Sequence, residues 1–96
     1  MNEKILQKLT STLKKRKKEM PENSYVSQLI DKGKVKIANK LGEEAFETVS
    51  AFLSQEKNDI LEESADLIFH LMVLLEYSDL SFDDVLAILE KRMKDD

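Results

Sequence analysis

Apolar residues recur every three or four positions along most of this 96-residue chain, the period of an amphipathic α-helix. Ile5, Leu9 and Leu13 predict a first helix from about Asn2 to Lys18, which Met20-Pro21 stops. Ser24 can cap a short second helix, SYVSQLIDK, that Gly33 ends. A long third helix follows, from about Lys34 to Ser54, with Ala38, Leu41, Ala45, Val49 and Phe52 as its expected buried stripe. Asp59, with Glu62 three residues on, can cap a fourth helix that runs to about Tyr77. Ser81 and Asp84 form a capping box for a fifth, whose apolar face is Val85, Leu86, Ile88 and Leu89. The expectation is one all-α domain over residues 1–96: a bundle of about five helices with the third and fourth at its centre.

Composition narrows this picture. Two glycines and one proline are too few for the turns of an all-β fold. The absence of cysteine excludes disulfides and thiolate metal sites. The first twenty residues have no apolar signal core, and IFHLMVLL is too short to span a bilayer, so a soluble cytoplasmic protein is expected, with no membrane partner.

The net charge of −4 hides an asymmetry. Residues 1–18 hold seven Lys or Arg against one Glu, and the acids dominate the rest. The run Lys14, Lys15, Arg16, Lys17, Lys18 could meet a polyanion, but no aromatic residue is interleaved with it and no groove-reading motif follows. It reads better as a solvated helix end, where cations suit the dipole, and no nucleic-acid partner is expected.

The stretch LGEEAFETV raises a sharper question, because Glu43, Glu44 and Glu47 crowd like charges onto a helix that must pack. At about 100° per residue, Glu43, Glu44, Glu47, Lys36 and Lys40 share one face, with the apolar stripe roughly opposite. Alone, this is most simply a solvated face. The fourth helix changes the balance. In DLIFHLMVLL, residues 66–75, eight of ten side chains are apolar and point in every direction, as on a buried helix. Glu63, Asp66 and His70 share a face of that helix, and a buried carboxylate costs several kcal/mol unless paired or bound to metal. Two helices with carboxylate pairs at i, i+3 can bring Glu44, Glu47, Glu63 and Asp66 to one point. Four oxygen donors suit Mg²⁺ or Mn²⁺, and such an ion would remove the repulsion. Glu43 is then the acid best placed to orient a water. Lys36 and Lys40, one to two turns upstream, and Lys32 before Gly33 could hold phosphate charge. Metal-assisted attack of water on a diphosphate follows from this set. A di-iron bundle needs Glu-x-x-His pairs, and His70 has no Glu three residues before it. His70 can equally be a buried imidazole bonded to Asp66.

The pattern Glu43-Glu44-Ala-Phe-Glu47, then Glu63-Ser-Ala-Asp66, resembles the signature of the all-α, MazG-like nucleoside triphosphate pyrophosphohydrolases. The stretch RKKEMPENSYVSQLIDKGKVKIANKLGEEAFE narrows the likeness to the phosphoribosyl-ATP pyrophosphohydrolase family, through Pro21, Glu22, Ser24, Tyr25, Lys32, Gly33, Lys36, Ile37, Lys40, Gly42 and the three glutamates. ESADLIFHLMVLL and LSFDDVLAILEKRM are also similar to that family, so the resemblance covers nearly the whole chain. Val26 stands where the family commonly has threonine. The resemblance implies Mg²⁺-dependent hydrolysis of phosphoribosyl-ATP to phosphoribosyl-AMP and pyrophosphate, the second step of histidine biosynthesis. It also implies catalytic roles among Glu43, Glu44 and Glu47, substrate contacts at Ser24, Tyr25 and His70 beside the lysines, and a homodimer that completes the bundle. The cyclohydrolase of the next step would be a separate chain. Two other readings compete: a MazG-like enzyme acting on nucleotides outside that pathway, and a non-catalytic helical interaction module.

Overall fold

The computed structural model describes residues 3–95 as five α-helices, with no strand among them. They are α1 (Glu3–Glu19), α2 (Tyr25–Lys32), α3 (Lys34–Ser54), α4 (Lys57–Tyr77) and α5 (Phe82–Asp95). The bounds of α2 and α3 follow their signals. Ser24 Oγ accepts the Ser27 amide at 3.2 Å, and Gly33 closes α2 with φ of 96°, where a side chain would be strained. At α5 the Ser81 amide donates to Asp84 Oδ2 at 2.9 Å, as the capping box requires. The fourth helix differs. It starts at Lys57, behind Glu56, which makes no side-chain cap bond, so Asp59 lies inside the first turn, where its charge still suits the dipole. Asn2, expected to open the first helix, lies outside the described residues.

Helices α3 and α4 pack along each other as an antiparallel hairpin, and α1 and α2 close one end of it. The core sits at that end: Leu13 of α1, Val26 and Leu29 of α2, Ile37 of α3, and Met72 and Val73 of α4. Phe82 packs on the edge of this cluster and ties down the start of α5. Val26 therefore works as core. Ile5, part of the spacing that predicts the first helix, is exposed, while Leu6 and Leu9 pack on the core.

The expected buried stripe of the third helix is corrected by the structure. The face of α3 that is buried within the chain carries Ile37, Glu44 and Ala51, whereas Val49 and Phe52 are 54% and 66% exposed and Ala38 is exposed as well. Apolar side chains cover well over half of α3's circumference, and the arc that meets α4 lies about a quarter turn from the arc that periodicity favoured. The outer arc stays bare, as do Phe46, Leu53 and Leu61 near the hairpin loop. Similarly, α4 is buried through Met72, Val73 and Leu75, yet Ile68 is exposed. On α5, Val85 is half-buried while Leu86, Ile88 and Leu89 face outward.

The basic run at the end of α1 is partly absorbed by the fold. Lys14 pairs with the buried Glu76 at 3.1 Å. Lys17 donates to the Glu76 carbonyl at 2.8 Å and to the Asp79 carboxylate, which it holds below its ordinary pKa. These bonds satisfy carbonyl and carboxylate groups at the C-terminal end of α4, where cations suit the dipole. No described helix is long and apolar enough to cross a membrane.

Candidate metal centre and basic cleft

The spacing of acids on α3 and α4 brings three carboxylates together at the middle of the hairpin. Ligand oxygens of Glu44, Glu63 and Asp66 lie within 4.8 Å of one another. Glu44 is buried, Glu63 half-buried and Asp66 exposed, so the group opens to solvent on one side. Glu44 Oε2 and Glu63 Oε2 are buried with no hydrogen-bond partner. Two buried, unpartnered carboxylate oxygens are costly unless something positive joins them. Three carboxylates with no sulfur or imidazole donor form the hard-oxygen set that a small divalent cation takes. The residues present thus fit a divalent metal ion.

Glu47, the fourth expected ligand, stands beside this triad rather than in it. Its carboxyl group lies close to that of Glu63. Two carboxylates brought close together repel one another, which favours a proton on one of them. The neighbouring Glu47 carboxyl, then burial, then the charges of Glu47, Glu44 and Asp66 raise Glu63 from its ordinary value to about 7. Glu43 lies outside the triad and pairs with Lys40 at 3.4 Å.

Thr48 was not singled out by the sequence, yet it links the two acidic helices. Its Oγ1 lies 2.7 Å from the Glu44 carbonyl oxygen, one turn back, and 3.1 Å from the Glu63 carbonyl oxygen across the hairpin. The available signal was its i+4 spacing from Glu44 on the inward face.

The three lysines expected to hold phosphate do converge. Lys32 at the end of α2 and Lys36 and Lys40 on α3 line one cleft of about 180 Å³, with Tyr25, Gln28 and Leu29 of α2 on the other side. Gln28 was also missed; it lies one turn after Tyr25. Lys40 stands 3.8 Å from Glu44 Oε1, so the cleft runs up to the acidic triad. Ser24, expected to touch substrate, spends its hydroxyl oxygen on capping α2. His70 is buried, with Nδ1 2.8 Å from the backbone carbonyl of Asp66 and Nε2 2.9 Å from the Tyr25 hydroxyl. The expected bond to Asp66 is therefore made to its backbone, which leaves the carboxylate free.

Comparison with known proteins shows the family. The family described as Phosphoribosyl-ATP pyrophosphohydrolase matches residues 6–93. A phosphoribosyl-ATP pyrophosphatase of Metallosphaera sedula is 46% identical over 90 residues, covering 94% of this chain and 97% of that protein. One of Zymomonas mobilis is 48% identical over 92 residues, covering 96% and 86%. The histidine biosynthesis bifunctional protein HisIE of Thermotoga maritima is 44% identical over 82 residues, 85% of this chain but 42% of that longer protein.

Proposed function

The chain belongs to the phosphoribosyl-ATP pyrophosphohydrolase family and is a hydrolase of histidine biosynthesis, and we propose that it performs its reaction as a Mg²⁺-dependent homodimer. The reaction converts phosphoribosyl-ATP to phosphoribosyl-AMP and pyrophosphate. The observation that carries the site assignment is the junction at Lys40, where a cleft with three lysines meets three convergent carboxylates. A triphosphate with a second phosphate on a separate ribose needs both: cations along its length and a metal at the scissile bond.

Glu44, Glu63 and Asp66, with Glu47 beside them, would hold the Mg²⁺. The ion supplies charge neutralisation at the phosphates and a more acidic water. Lys32, Lys36 and Lys40 bind the phosphates along the cleft and fix which anhydride faces the acids. Lys40 also neutralises Glu43 and Glu44, which limits repulsion between the acids and the incoming substrate. Glu43, solvent-exposed on the turn that carries Glu44, orients the attacking water and receives its proton. The water oxygen bonds to phosphorus as the bond to the departing pyrophosphate breaks.

A second copy completes the unit. Phe46, Val49, Phe52, Leu53 and Leu61 are all more than half exposed around the outer end of the hairpin, where one chain supplies only two helices. A 96-residue chain buries a small core, and two-fold pairing of two hairpins into a four-helix bundle covers these side chains with a self-complementary surface.

The functional test is to incubate the purified protein and Mg²⁺ with phosphoribosyl-ATP beside a panel of nucleoside triphosphates, and to measure pyrophosphate. Release from phosphoribosyl-ATP at least a hundredfold faster than from the others is expected. Equal release from all would favour an enzyme acting outside the histidine pathway. Release from none would leave a binding module.

A further inference from the structure

His70 is the chain's only histidine, and its two ring nitrogens have different partners. A backbone carbonyl can only accept, so the 2.8 Å contact with the Asp66 oxygen requires the proton on Nδ1. In the neutral ring Nε2 then carries a lone pair. The Tyr25 hydroxyl, 2.9 Å away, must donate to it. A phenol has one proton, and here it is committed. What Tyr25 still offers is an oxygen lone pair, and Tyr25 lines the lysine cleft. Phe69 braces the pair: its ring lies near-parallel to Tyr25 at 6.3 Å and edge-on to His70 at 5.2 Å.

This commitment decides what Tyr25 can bind. Ionised phosphate oxygens are acceptors and find no donor in a hydroxyl whose proton is engaged. The lysines around the cleft, donors only, suit phosphate instead. The group complementary to Tyr25 must itself donate, and on a nucleotide whose phosphates lie along the lysines the nearest donors are the sugar hydroxyls. We propose that His70 is a positioning residue that holds Tyr25 as a hydrogen-bond acceptor for a ribose hydroxyl of the nucleotide in the cleft. The ribose part rests on the nucleotide reading above; the tautomer part does not.

Two measurements test it. Long-range ¹H–¹⁵N NMR reads the tautomer of the single histidine directly; Nδ1–H is expected, and Nε2–H would overturn the proposal whatever the enzyme's activity. Kinetics with phosphoribosyl-ATP test the linkage. Tyr25→Phe should raise KM about tenfold, the order expected for one lost hydrogen bond, with kcat within about twofold. His70→Phe should do the same, and the double variant should be no worse than either single, because His70 acts through Tyr25. His70→Gln, whose side-chain carbonyl can accept from Tyr25, should recover part of the loss, and it carries the cycle if circular dichroism shows His70→Phe unfolded. Losses that add in the double variant would overturn the proposal. So would loss of Mn²⁺ affinity in His70→Gln, which would place the role of His70 at Asp66. A wild type that releases no pyrophosphate from phosphoribosyl-ATP removes the functional reading and the ribose assignment with it, while the NMR result still decides the His70–Tyr25 arrangement.

Discussion

The Lys40 ammonium lies 3.8 Å from Glu44 Oε1 and 3.4 Å from Glu43 Oε2, one turn and three residues along the same helix. Such i, i+4 and i, i+3 pairs are common on exposed helices and stabilise them by about 0.3–0.5 kcal/mol. This one differs in what surrounds it. Glu44 is buried and belongs to the carboxylate triad, while Lys40 also lines the cleft that holds Lys32 and Lys36. The pair joins the two halves of the site.

Replacing Lys40 with alanine separates these roles. If it served only as a surface ion-pair partner, neither stability nor turnover would change much. As a phosphate ligand next to the metal, its loss should lower kcat/KM by about tenfold or more, equivalent to about 1.4 kcal/mol of transition-state binding, with the melting temperature shifted by only a few degrees. Steady-state kinetics on Lys40→Ala and Lys36→Ala check this, and wild-type constants in both variants would remove the lysines from the site.

The acids should trade stability for function. Glu44→Gln and Asp66→Asn each remove a negative charge from a crowded cluster. The metal-free variants should melt at or above the wild-type temperature, yet lose activity and lose the stabilisation that Mg²⁺ gives the wild type. Thermal melts with and without Mg²⁺, beside a pyrophosphate assay, make the comparison. Full Mg²⁺-dependent turnover in Asp66→Asn would contradict the ligand assignment.

Glu63 makes the metal response depend on pH. Its folded-state value is raised to about 7, above its ordinary value of 4.5, so the folded protein holds a proton that the unfolded chain has released. As pH rises between these values, the metal-free protein therefore loses stability, and the loss is complete above about 7. A divalent cation must displace that proton. Mg²⁺ should accordingly raise the melting temperature more near pH 8 than near pH 6. A larger Mg²⁺ shift at the lower pH would show that Glu63 does not face the ion.

The outer end of the hairpin should report on assembly. Phe52 is 66% exposed, with Val49 on the turn before it. Phe52→Asp should convert a dimer into a monomer with reduced helical circular dichroism, because the exposed end of α3 and α4 loses its cover. Analytical ultracentrifugation at micromolar concentration decides between them; a wild type that sediments as a stable, folded monomer contradicts the proposed pairing.

The residues that were legible in sequence carry their signal locally. Gly33 ends one helix and starts the next, so the bounds of α2 and α3 could be read within one residue. Glu44, Glu63 and Asp66 announced themselves as charges on helices that had to pack, and their spacing put each on a shared face. The packing of α3 was less legible, because Val49 and Phe52 obey helical periodicity as well as Ile37 does. Periodicity shows that a face is apolar, and it does not show whether that face meets the same chain. The start of α4 was missed because Asp59 has the chemistry of a cap while Glu56 occupies the position. The bond between Tyr25 and His70 joins residues 45 positions apart and depends on how α2 lies across α4, which no local pattern encodes.

Gly33 has a consequence for the site as well as for the chain's path. A single residue with φ of 96° separates the helix that carries Tyr25, Gln28 and Lys32 from the helix that carries Lys36 and Lys40. The aperture of the basic cleft is therefore set at one joint, while the carboxylates sit two and more turns further along α3 and on α4. The α2 wall of the cleft is thus set independently of the carboxylates, whereas Lys36 and Lys40 share α3 with Glu44. A change at that joint retunes the spacing of the first lysine against the other two and leaves the acids where they are.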